Sequence, residues 1–94
     1  MSKISDQIMD GMKTAMKAKD SVTLNTLRAL KTAMTNAAIA KGGLGTELDE
    51  AEELAAVRKQ IKQREDSAQQ FRSAGRQELA DKEEAEITVL CLLY

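Results

Sequence analysis

The chain has 94 residues, 43% hydrophobic and 31% charged, with a formal net charge of −1 and no proline, histidine or tryptophan. A chain this short makes one domain with a thin core, and with only Phe71 and Tyr94 aromatic that core must be built from Leu, Ile, Val, Met and Ala, most of which favour helix. One cysteine excludes an intramolecular disulfide and a cysteine-based zinc cluster, and the missing histidines remove the usual general acid or base at neutral pH.

The N-terminus MSKISDQIMDGMK carries acids and no continuous apolar block, so it is neither a signal nor a transit peptide, and no segment approaches the roughly 20 apolar residues that cross a bilayer. A cytoplasmic setting without membrane partners is the expectation. The first helix is predicted from Ser5 to Lys19, because Ile4, Ile8, Met12 and Met16, joined by Ala15, share one face. Lys19-Asp20-Ser21 breaks it. Asp20 or Ser21 can cap the second helix, predicted to run to Ala40 with Leu24, Leu27, Leu30, Met34 and Ala37 as its stripe.

The three glycines of KGGLGTELD, Lys41 to Asp49, separate that helix from the next. Asp49 with Glu52 forms a D-x-x-E capping box, and Glu50, Glu52 and Glu53 suit the positive end of the helix dipole. The third helix is expected to be the longest, running to Ala74, where Gly75 ends it in a left-handed cap. The fourth begins near Arg76 and continues through Leu79, Ile87 and Leu90. No run alternates over strand length, so the expected fold is all-α: a small bundle of about four helices, with helices three and four forming a long antiparallel hairpin about Gly75-Arg76.

The seam of the third helix reads Leu54, Val57, Ile61, Arg64, Ala68, Phe71, apolar except at Arg64, and the fourth keeps Leu79, Glu83, Glu86, Leu90 with two glutamates inside it. In an antiparallel hairpin turning at Gly75-Arg76, Phe71 falls near Leu79 or Ala80 and Arg64 near Glu86 or Ile87. The expectation is a partly buried structural ion pair, Arg64 with Glu86 and joined by Glu83, that sets the register; a polar binding site is the alternative.

Little else suggests catalysis. ELDEAEE and DKEEAE lack metal-loop spacing, Ser5, Ser21, Ser67 and Ser73 lack a neighbouring base, and GGLG lacks the strand and Lys-Ser/Thr of a phosphate loop. No catalytic residue, metal ligand or cofactor is expected. Cys91 reads as a small, buried apolar residue of the tail ITVLCLLY, whose Val89, Leu90, Leu92 and Leu93 must pack on the bundle or form a weak dimer.

Charge is divided unevenly. Met1 to Lys41 holds seven Lys/Arg against three Asp, and Gly42 to Tyr94 seven against twelve acids. Lys13 and Lys17, followed by Lys19, and the pair Arg28 and Lys31 present cations at helical spacing, as do Arg58, Lys59 and Lys62 on the third helix. These eight are candidates for holding a nucleic-acid backbone, against the alternative of an ordinary solvated face.

KTAMKAKDSVTLNTLRALKTAM, Lys13 to Met34, and KQIKQREDSAQQFRSAGRQELADKEEAEI, Lys59 to Ile87, closely resemble the YqeY family, small proteins related to the tail of the B subunit of tRNA-dependent amidotransferases. The resemblance covers about Met1 to Leu90. It implies an all-α N-terminal domain followed in the family by a smaller helical domain, with tRNA, an aminoacyl-tRNA synthetase or an amidotransferase as partners. Here TVLCLLY replaces the proline-containing junction and the chain stops, so it reads as the N-terminal domain alone, whether a fragment, a truncated product or a natural single-domain form. The resemblance implies a non-catalytic accessory domain that assists tRNA binding. The alternatives are a protein-interaction module without RNA binding and, by association with relatives only, a carbon–nitrogen ligase.

Overall fold

The computed structural model describes residues 3–93; Tyr94, the end of the predicted apolar tail, lies outside the described residues. Four helices follow one another: α1 (Lys3–Ala18), α2 (Ser21–Gly42), α3 (Glu50–Ser73) and α4 (Gln77–Cys91). Among the described residues there is no strand. The all-α bundle expected from the sequence is what forms, with α3 the longest helix and its contact with α4 the most extensive in the molecule.

Each helix end has a local cause. Gly75 adopts φ 75°, and the amides of Gly75 and Arg76 donate to the carbonyls of Arg72 and Phe71 at 3.1 and 2.8 Å, closing α3 in a Schellman motif. α1 ends the same way on a lysine: Lys19 has φ 56°, and the amides of Lys19 and Asp20 donate to the carbonyls of Met16 and Ala15. At the start of α3 the capping box is complete. The Glu52 amide donates to Asp49 Oδ1 at 2.8 Å and the Asp49 amide to Glu52 Oε1 at 2.9 Å.

All four helices supply the core. Ile4 and Ile8 of α1, Leu27 and Leu30 of α2, Val57 of α3 and Leu90 of α4 form one buried cluster, and Met12, Met34, Leu54, Ile61, Val89 and Leu93 pack against it. Gly11 lets α1 and α2 close together, since a Cβ there would lie 2.8 Å from Leu27 Cδ1. The long axis is 43 Å and the radius of gyration 14.0 Å. A compact chain of this length would have a radius near ~12 Å, and α3, about 36 Å long, accounts for the elongation.

Several predicted apolar positions point outward. Met16, Ala37 and Leu79 are exposed, because the inward face of each helix is taken by a neighbour in the 3.6-residue cycle: Ala15 in α1, Leu30 and Met34 in α2, Ala80 in α4. Cys91 and Leu92 also face solvent, correcting the expectation that the tail buries them; Val89, Leu90 and Leu93 do the packing.

Candidate functional site

The predicted cations of the N-terminal half gather on the α1–α2 hairpin. Lys13 and Lys17 stand on α1, Lys19 in the turn, and Arg28 and Lys31 on α2, and all five are exposed. The turn is firmly held: Asp20 Oδ1 accepts from the Thr23 amide at 3.1 Å and Oδ2 from the Thr23 hydroxyl at 2.6 Å. The hydroxyl, then the amide, holds the Asp20 carboxyl below its ordinary range. Among the described residues, none of these five cations makes an ion pair.

Several of the other basic residues face carboxylates. Lys41 Nζ lies 2.6 Å from Glu52 Oε1, Arg72 Nη1 3.0 Å from Glu84 Oε1, and Lys62 Nζ 3.8 Å from Asp66 Oδ1. The Asp49 amide and then Lys41 hold the Glu52 carboxyl low, and Glu52 in turn raises Lys41. Arg58, Lys59 and Lys62 are exposed on α3 and line neither hollow of the α1–α2 hairpin.

Two hollows open along that hairpin. The first, about 380 Å³, has walls from α1 (Ser5, Ile8, Met9), α2 (Lys31, Met34, Thr35, Ala38, Ile39) and the 43–48 loop. The second, about 340 Å³ and shallow, lies at the turn between Ala15, Met16 and Lys19 on one side and Leu24 and Arg28 on the other. The glycine loop that sequence reasoning treated as a connector therefore walls the first hollow. Glu53 also lines it, only 3% exposed, accepting a 2.8 Å hydrogen bond from the Ser5 hydroxyl. Sequence reasoning placed Glu53 only among the first-turn acids that suit the α3 dipole; its position four residues before buried Val57, on the same face, was the signal that it turns inward.

The polar positions in the α3–α4 seam face each other. Arg64 Nε and Glu86 Oε2 are 3.8 Å apart, with the side chains 15% and 16% exposed. This is attraction without a hydrogen bond between them, since both atoms are buried and lack a hydrogen-bond partner, while Arg64 Nη1 donates to Gln60 Oε1 at 2.6 Å. Glu83 is half-buried nearby. Burial first, and then the Glu86 charge, pushes its carboxyl above the ordinary range, with Arg64 and Lys82 pulling the other way. Among the described residues, no group of three or more His, Cys, Asp or Glu could hold a metal ion.

The family described as Yqey-like protein matches residues 5–92. The chain belongs to the YqeY family. Among curated proteins, this YqeY-family chain is similar to altered inheritance of mitochondria protein 41, mitochondrial, from Pyrenophora tritici-repentis (strain Pt-1C-BFP), with 34% identity over 79 residues. The match covers 84% of this chain and 42% of that relative's length. The YqeY match extends over all four helices, so the cation-bearing hairpin and the Arg64–Glu86 seam both lie inside it. No helix among the described residues is long and apolar enough to cross a membrane.

Proposed function

We propose that this YqeY-family chain is a non-catalytic accessory domain of tRNA-dependent aminoacylation or amidotransferase chemistry, working in the cytoplasm and assisting tRNA binding. The relative's name ties that protein to mitochondria and says nothing of RNA. What supports the reading is where the cations stand: Lys41, Lys62, Arg64 and Arg72 face carboxylates, whereas Lys13, Lys17, Lys19, Arg28 and Lys31, which like Lys59, Arg76 and Lys82 are outside the ion pairs of the described residues, are exposed together on one hairpin. Cations without protein counter-charges are the ones that gain most by displacing counterions from a phosphate backbone. Such contacts position a tRNA body without reading its sequence, and they lengthen its stay on a partner enzyme through effective concentration.

Binding of bulk tRNA, measured across a salt series with the wild type and with Lys13→Glu/Lys17→Glu, tests this. Affinity is expected to fall steeply with salt and to drop by about tenfold or more in the double variant at low salt. Absence of tRNA binding at low salt would overturn the reading in favour of a protein-interaction module.

A further inference from the structure

The two hollows share no lining residue, but residues of one face of each helix line both, so together they mark out a crevice along the hairpin. Along α2 their walls are Leu24, Arg28, Lys31, Thr35 and Ile39, a 4,3,4,4 spacing on one helix face. Along α1 they are Ser5, Ile8, Met9, Ala15 and Met16, again one face. The crevice is apolar where the chain could have been polar: Met9 is 45% and Met16 58% exposed, and Ile39 is exposed in the same hollow as Met9. Flexible, polarisable methionines on an exposed groove suit the variable side chains of a docked helix.

Charge along the crevice selects the guest and its direction. Lys19 and Arg28 stand at the turn end and Lys31 midway. Asp20, also at the turn end, is engaged in capping Thr23. At the loop end the charges are acidic, Glu47 and the Ser5-bound Glu53. We infer that the α1–α2 crevice is the docking site for an amphipathic helix of a partner protein, acidic in its N-terminal half and basic in its last turn, lying parallel to α2. The guest's apolar face covers Met9, Met16 and Ile39, its acids meet Lys19, Arg28 and Lys31, and its terminal cation meets Glu47. That charge order also suits the guest's own helix dipole. A guest matching Leu24 to Ile39 is about 24 Å long.

The test uses a fluorescent 16-residue peptide with Leu at helical spacing, Glu in its first half and Lys in its last turns, against a peptide of identical composition with the two charge blocks exchanged. Fluorescence anisotropy with the full chain is expected to give at least about tenfold tighter binding of the Glu-first peptide, and Met9→Asp/Met16→Asp, at exposed positions, to weaken it by a similar factor. Equal affinity for the two peptides, no binding of either, or binding unchanged in a folded double variant would overturn the proposal. So would loss of tRNA binding in the uncharged Met9→Ala/Met16→Ala, which would make the crevice an RNA surface. Lys19, Arg28 and Lys31 are shared with the proposed tRNA surface, so guest and tRNA exclude each other there; this measurement reads a peptide and the Lys13/Lys17 experiment reads tRNA, so the two readings fail separately.

Discussion

Lys19 has a positive φ, which at the ends of α2 and α3 belongs to glycine. Gly43 and Gly75 adopt φ 87° and 75°, and Lys19 φ 56°, where the Cβ of an L-residue crowds the following carbonyl. Lysine is tolerated because the two end-of-helix hydrogen bonds and the Asp20 cap over-determine the turn. Lys19→Gly is therefore expected to raise stability by about 0.5–1 kcal/mol, relief of crowding offset in part by the greater freedom of glycine in the unfolded chain. Urea denaturation checks this: the midpoint should rise with an unchanged slope, and a lower midpoint would mean that the lysine side chain stabilises the turn. Buried Thr26 is accommodated by a local bond as well, its hydroxyl donating to the Val22 carbonyl at 2.7 Å.

The α3–α4 hairpin carries an electrostatic imbalance, two glutamates against one arginine inside a seam. Glu83, raised by burial and by Glu86, binds its proton more tightly in the folded than in the unfolded chain. Folding then strengthens as pH falls from neutrality through the folded-state value toward the ordinary range near ~4.3. Asp20 and Glu52 act oppositely. Both are held low, so the stability they contribute is present above their unfolded values and disappears as pH falls through their folded ones. Stability measured by urea titration is expected to peak at mildly acidic pH. In Glu83→Gln the peak should flatten, with stability at pH 7 raised; an unaltered profile in that variant would show that Glu83 is not the responsible group.

At the scale of the whole molecule, a thin core leaves few residues to hold four helices. Leu90 is fully buried near the end of α4, in the cluster with Leu30 of α2 and Val57 of α3. A chain this size has roughly 5–14 kcal/mol of stability, so Leu90→Ala, at about 3 kcal/mol, removes a large share. Chemical denaturation should show the loss. A change under about 1 kcal/mol would mean that the end of α4 is not needed to hold the core.

Helix number, helix type and the turns at Asp20, Asp49 and Gly75 were legible in the sequence because capping and glycine geometry act within a few residues of chain. Arg64 and Glu86 were legible as interruptions of otherwise apolar seams, and the antiparallel turn placed them in reach of each other. The inward turn of Glu53, the exposure of Met16, Leu79, Cys91 and Leu92, and the crevice beside Met9 were decided only by tertiary structure. A helix has several apolar residues bordering its stripe, and which of them are covered depends on where the neighbouring helices lie, a packing outcome that no local pattern contains.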